Sequence, residues 1–302
     1  MALHPQAQAV LELIAAFGDP PLEEDTPAAA RARRQSRVRP ATEPIHERRD
    51  LDAGGVPARL YRPNDDDGLG LLVYLHGGGW VIGSVDGHDN LCRILANRAG
   101  AAVLSLDYRL APEHPFPAAL EDAIAATRWA YARAEELGAD PRRLAIGGDS
   151  AGANLATVVA QLAPVPLRFQ LLFYPATDLR CGRPSYDEHA EGYTLTSAGV
   201  AWFIDHYLSG EQGAPDDPRV SPILAEDAAL RATPPALVVT AEYDPLRDEG
   251  WAYADRLRDA GVEVAAVHYD SMMHGFVSLS DFLDDGKAAL ALAGDALADA
   301  LT

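Results

Sequence analysis

A chain of 302 residues with 48% hydrophobic content can bury a large core as one domain plus a lid, and its formal net charge of -20 excludes nucleic acid and anionic membranes, which attract basic surfaces. No segment has the continuous apolar length that spans a bilayer, and the start Met1-Ala2-Leu3-His4-Pro5 lacks the basic-then-apolar pattern of a leader; a cytoplasmic location is expected. The two cysteines, Cys92 and Cys181, cannot form a disulfide framework and read as free thiols.

In chain order, Val10, Leu11, Leu13, Ile14 and Phe17 recur at helical spacing and give a helix one apolar face, which Pro20-Pro21 ends. Residues 45–52 and 56–62 read as an antiparallel pair of strands. Asp65-Asp66-Asp67-Gly68 follows as a solvated turn, because its carboxylates lack calcium-loop spacing. The apolar strand Leu71-Leu72-Val73-Tyr74-Leu75 then runs directly into His76-Gly77-Gly78-Gly79-Trp80. A helix over 87–99, a strand at Ala102 and a helix over 117–137 come next. Arg143-Leu144-Ala145-Ile146-Gly147 reads as a short buried strand, with helical spacing resuming over 151–162. Further strands start at Phe169 and Ala236. The insertion between them carries a helix that starts at Leu195-Thr196-Ser197, has Trp202 and Phe203 in its body, and exits through Pro215, Pro218 and Pro222. A helix over 249–260, a strand over 262–267 and a C-terminal helix from about Gly286 complete the pattern. The expected fold is α/β: an eight-stranded, mostly parallel sheet flanked by helices.

Gly148-Asp149-Ser150-Ala151-Gly152 sits where a buried strand turns into a helix. That turn forces the serine into a strained conformation with its hydroxyl pointing away from the sheet, and glycine neighbours let strand and helix approach closely. The following helix aims its free amides and positive dipole end beside the hydroxyl, which suits nucleophilic attack. Upstream, three successive glycines bare a backbone whose amides can turn toward a ligand. Gly78, Gly79 and the amide of Ala151 are candidate donors to the oxyanion of an acyl-transfer intermediate. A phosphate loop of the Walker type is disfavoured, because the only lysine is Lys287. Downstream, acids follow one strand in Asp244-Pro245-Leu246-Arg247-Asp248, and a histidine follows the next in His274-Gly275-Phe276. In a parallel sheet these loops emerge on the same edge as the serine turn, so Ser150, an acid and His274 can converge.

With these motifs the chain resembles the bacterial hormone-sensitive-lipase-like esterases of the α/β-hydrolase fold; Asp107-Tyr108-Arg109-Leu110-Ala111-Pro112-Glu113 is similar to a further block of that family. The resemblance implies a Ser150–Asp244–His274 triad, with Asp244 preferred over Asp248 as the acid and His76 supporting the glycine loop. It also implies that residues 1–45 and an insertion of about 180–230 form a helical cap over a catalytic domain of 46–302. The activity it implies is hydrolysis of short- to medium-chain carboxylic esters through an acyl-enzyme, with no cofactor and no metal, and a small-molecule ester as the partner. A homodimer through the edge strand near Val262 enters by the same analogy. Trp80, Trp202, Phe203 and Phe276 are candidates to line the substrate pocket, against the alternative of general core. Arg109 and Glu113 are expected in a structural network. Plant gibberellin receptors resemble the family too, but their catalytic histidine position is replaced, whereas His274 is present here. An amidase or deacetylase on the same triad stays open.

Overall fold

The computed structural model describes residues 2–302. Eight strands form one sheet: β1 (Glu47–Asp52), β2 (Pro57–Arg62), β3 (Leu69–Leu75), β4 (Ala102–Leu106), β5 (Ala139–Asp149), β6 (Phe169–Phe173), β7 (Ala236–Tyr243) and β8 (Val264–Met273), in the spatial order β1-β2-β4-β3-β5-β6-β7-β8. The first two pairings, β1 with β2 and β2 with β4, are antiparallel; from β4 onward the sheet is parallel. The helices are α1 (Pro5–Ala15), α2 (Pro27–Ser36), α3 (Asp89–Ala99), α4 (Ala118–Ala132), α5 (Ala151–Leu162), α6 (Ser185–Glu188), α7 (Ser197–Tyr207), α8 (Asp227–Arg231), α9 (Arg247–Asp259) and α10 (Asp284–Ala300).

Every residue of β3, β4 and β6 is buried, as expected of parallel strands covered on both faces. Strand alternation divides the core in two. Leu71, Val73 and Leu75 face one layer with Leu155 of α5 and Leu257 of α9, while Leu72 and Tyr74 face the other with Leu95 of α3 and Leu290 of α10. Crossover helices on both faces place all the loops after parallel strands on one edge of the sheet.

The expected strands and helices are present with several differences, among them a longer β5 that starts at Ala139 rather than Arg143 and the additional helices α2, α6 and α8. The helix expected over 117–137 ends as α4 at Ala132, and a 3-10 turn over Ala134–Leu137 continues it to Gly138 at φ 73. The last strand starts at Val264 rather than Val262 and runs through Tyr269 and Asp270 to Met273, because pairing continues past an irregularity as far as Tyr243 with Met273. The apolar face expected for α1 is a correction. Val10 is buried beside Ala7, but Leu13, Ile14 and Phe17 are 48%, 39% and 51% exposed. The N-terminal tether is the cause: the amide of His4 donates to Ser271 O and Gln6 bonds Asp284, so α1 lies against the end of β8 and the start of α10 with Ala7 and Val10 inward.

Candidate active site

Ser150 occupies φ 56, ψ -118, a region that L residues other than glycine enter only under strain of about 1–3 kcal/mol. Its own partners hold it there: the Ser150 amide donates to Phe173 O at 2.9 Å, and Asn154 N donates to Ser150 O at 3.0 Å as α5 begins. The flanking glycines are required by space. A Cβ on Gly152 would stand 2.0 Å from Leu75 O, and one on Gly148 would stand 2.4 Å from the same oxygen. Side chains there would push α5 off the end of β3.

The acid and the histidine arrive on adjacent strand ends. β7 delivers Asp244, whose Oδ1 accepts the amide of Leu246 at 2.8 Å. β8 pairs with β7 up to Met273, and the amide of the next residue, His274, donates to Tyr243 O at 3.3 Å. His274 Nδ1 is then 2.7 Å from Asp244 Oδ2, and its Nε2 is 3.0 Å from Ser150 Oγ. With the carboxylate accepting from Nδ1–H, Nε2 is left to accept from the serine hydroxyl. The Tyr174 ring lies 4.6 Å from the imidazole, and Thr194 Oγ1 donates to His274 O at 2.5 Å. Asp248 is committed elsewhere. It accepts from Ser185 N at 2.9 Å and pairs with Arg247 at 2.8 Å; burial works against its charge, yet these donors hold its carboxyl below the usual range.

The glycine loop is bolted to the serine turn by Asp149. Its Oδ1 accepts from Tyr74 Oη and from Gly77 N, each at 2.9 Å, and lies 3.1 Å from His88 Nε2. Burial opposes the charge on Asp149, but His88, Tyr74 and the Gly77 amide bring its pKa down to about 2. Gly77 therefore spends its amide on structure. The amides of Gly78 and Gly79 have no acceptor among the described residues, and that of Ala151, at the head of α5, has no helical one. Gly78 (φ 125) and Gly79 (φ 59) both lie in the left-handed half of backbone space. Beta carbons there would meet Ile82 O at 2.2 Å and the Phe203 ring at 2.1 Å. His76 supports the loop from behind: its ring stacks on Tyr108 at 4.4 Å, its Nδ1 is 2.9 Å from Gly77 O, and burial pushes its pKa down to about 4.

Phe203 thus caps the glycine loop, and Trp202 meets it edge-on at 5.3 Å. Trp80 stacks on Tyr207 of α7 at 4.3 Å, which joins the loop to the insertion. Phe276 is core rather than pocket lining; it is wholly buried between Tyr174 and Tyr269, in the layer opposite Trp80, Trp202 and Phe203. Arg109 and Glu113 are both structural but not paired with each other. Arg109 grips Asp122, and Glu113 accepts from Arg31. Nothing in the local sequence marks Arg31 among the arginines of α2. Cys92 and Cys181 are free thiols, and among the described residues no three His, Cys, Asp or Glu side chains cluster as metal ligands. No helix among them is long and apolar enough to cross a membrane.

A strained serine at a strand-to-helix turn, its imidazole and acid on the next two strand ends, and a sheet of this order define an α/β-hydrolase. A family model described as alpha/beta hydrolase fold matches residues 72–278, and the chain belongs to that family, in its hormone-sensitive-lipase-like esterase branch. It is 48% identical over 247 residues to the carboxylic ester hydrolase LipN of Mycobacterium tuberculosis, a match that takes in 78% of this chain and 65% of LipN. It is 42% identical over 254 residues to an ethyl acetate hydrolase of Pseudomonas putida, covering 82% of this chain and 79% of the relative. A hyperthermophilic esterase of the archaeon Pyrobaculum calidifontis superposes with a TM-score of 0.93 at 41% identity, over 99% of both chains.

Proposed function

We propose that the chain is a serine carboxylesterase that hydrolyses short- to medium-chain carboxylic esters through an acyl-enzyme on Ser150. One observation carries the reading: Ser150 Oγ, His274 and Asp244 stand in a continuous relay of 3.0 and 2.7 Å on a strained turn. As Oγ attacks the ester carbonyl, His274 Nε2 takes the serine proton, and Asp244 keeps Nδ1 protonated and stabilises the imidazolium. The carbonyl oxygen becomes an anion that the free amides of Gly78, Gly79 and Ala151 receive. Collapse expels the alcohol with the proton from His274. Water, deprotonated by the same imidazole, then attacks the acyl-serine and releases the acid. Nucleophile, base and orienting acid all come from the chain, so the reading requires no cofactor or metal.

The two ester-hydrolase relatives and the esterase fold neighbour support the substrate class, and the presence of His274 favours catalysis over a receptor role. In the same reading, α1, α2 and the insertion carrying α6 to α8 act as the cap, with Trp80, Trp202 and Phe203 along the pocket. The protein is cytoplasmic in this reading, and two copies pair along β8, one of the two edge strands of the sheet. Light scattering of the purified protein tests the dimer. The function is tested with aryl and alkyl esters varied in acyl length beside a matched amide, and with an organophosphate whose adduct is located by mass spectrometry. An adduct on a residue other than Ser150, or faster cleavage of the amide, refutes it.

A further inference from the structure

We propose that Arg31, in the N-terminal helix α2, is a positioning residue that fixes the glycine loop, so that seating the helix aims the Gly78 and Gly79 amides; this rests on their role as oxyanion donors. Its guanidinium is shared between two backbone segments. Nε donates to Val81 O at 2.7 Å and Nη2 to Ala111 O at 2.5 Å. Each segment is itself bonded to the glycine loop: Val81 N donates to Gly78 O at 3.1 Å, and Ala111 N donates to Trp80 O at 2.9 Å. Arg31 therefore closes a ring through Val81, Trp80 and Ala111, directly after the Gly78–Val81 turn that holds Gly79.

Asp149 anchors the loop at Gly77, and Val81 N and Ile82 N both donate to Gly78 O, so Arg31 adds a side-chain tie on the Val81 side of the two free amides. Gly78 and Gly79 sit at positive φ, where glycine imposes almost no torsional preference of its own, and the two amides make no bond to the described residues. Glu113 holds the guanidinium from the far side, with Oε1 at 2.9 Å from Nη1 and Oε2 at 2.7 Å from Nη2. This is the fork-to-fork geometry that fixes the plane of an arginine. Lysine has a single ammonium on a flexible stem and cannot reproduce a planar bridge between two carbonyls.

The inference makes Arg31 act on turnover rather than on substrate affinity. In Arg31→Ala and Arg31→Lys, kcat is expected to fall by about tenfold to 100-fold, the range for a misplacement approaching 1 Å, with KM within about twofold. Affinity for a trifluoromethyl ketone, which places an oxyanion in the same hole, should fall in proportion to kcat/KM. Glu113→Ala, which frees the plane of the guanidinium but removes neither donor to Val81 O and Ala111 O, is expected to lower kcat by clearly less than Arg31→Ala does. Thermal unfolding of each variant checks that it is folded. A wild-type kcat in a folded Arg31→Ala overturns the inference, as does a change confined to KM and thermal stability. So does a loss in Glu113→Ala equal to that in Arg31→Ala, which would assign the effect to the ion pair. Stoichiometric organophosphate labelling of wild type separates the two readings: if it fails, the serine mechanism falls first, whereas labelled and active wild type with a fully active Arg31→Ala sinks the positioning role alone.

Discussion

Gly152→Ala adds one methyl group at the most crowded point of the serine turn. The new Cβ would lie 2.0 Å from Leu75 O, 2.5 Å from Leu75 C and 2.6 Å from His76 O, whereas ordinary contact begins near 3.4 Å. Those are backbone atoms and cannot rotate away. Leu75 is paired with Gly148 on one side and Leu106 on the other, so β3 is held at the centre of the sheet and α5 has to give. Overpacking of a tight core costs about 1–3 kcal/mol, and a rigid backbone neighbour places this site near the top of that range. At roughly 2 °C per kcal/mol for a domain of this size, Tm should fall by about 6 °C. The displacement of α5 also carries the Ala151 amide and Ser150 Oγ out of line, so kcat should fall by about 100-fold. Gly182→Ala is the control, because a Cβ there meets nothing within 4 Å. Calorimetry and initial rates on a soluble aryl ester read both effects. A Gly152→Ala protein with wild-type Tm and kcat would show that the turn does not depend on that close approach, and the steric account of the glycines would fail.

Ser150→Ala should remove ester turnover and organophosphate labelling while the far-ultraviolet spectrum stays unchanged; activity within tenfold of wild type contradicts the nucleophile assignment. Asp244→Asn should lower kcat by about 10⁴-fold by permitting the wrong imidazole tautomer, whereas Asp248→Asn, which lacks contact with His274, should lower it far less; equal losses would leave the acid unassigned. Removing residues 2–36 deletes the Arg31 bridge and the Leu22 contact with the layer that holds Trp202 and Phe203, so it should cut turnover and shift acyl-length preference, and an unchanged profile in a folded truncation argues against an N-terminal cap. Burial pushes the Glu249 carboxyl up to about 8, although it accepts from Thr177 N, Asp178 N and Tyr186 Oη. An unfolded glutamate titrates near 4.3, so between these values the folded protein holds a proton that the unfolded chain has released, and stability falls as pH rises from about 4.3 to 8. Glu249→Gln removes that titration, and its stability relative to wild type, from urea unfolding at pH 5 and pH 8, should improve with pH; parallel pH profiles would refute the assignment.

The sequence by itself determined the layered fold and the candidate reacting groups. Unbroken apolar runs such as Leu71–Leu75 have a local cause, burial of both faces of a parallel strand, and Gly148 and Gly152 reveal a turn that no larger residue could occupy. Ser150, His274 and the pair of candidate acids Asp244 and Asp248 were legible because each group follows a recognisable strand and a parallel sheet brings such loops to one edge, with the resemblance favouring Asp244. Tertiary structure alone decided what depends on contacts between distant segments. Which acid meets the imidazole followed from β7 and β8 staying paired to Tyr243 and Met273, which aligns Asp244 with His274 while Arg247 and Ser185 hold Asp248 away. The inward face of α1 was set by tethers to Ser271 and Asp284 rather than by its hydrophobic periodicity, so Leu13 and Phe17 lie outside. Arg31 shows the limit most plainly: its partners are 50 and 80 residues away, and an arginine carries no local signal of which distant carbonyls its rigid fork will bridge.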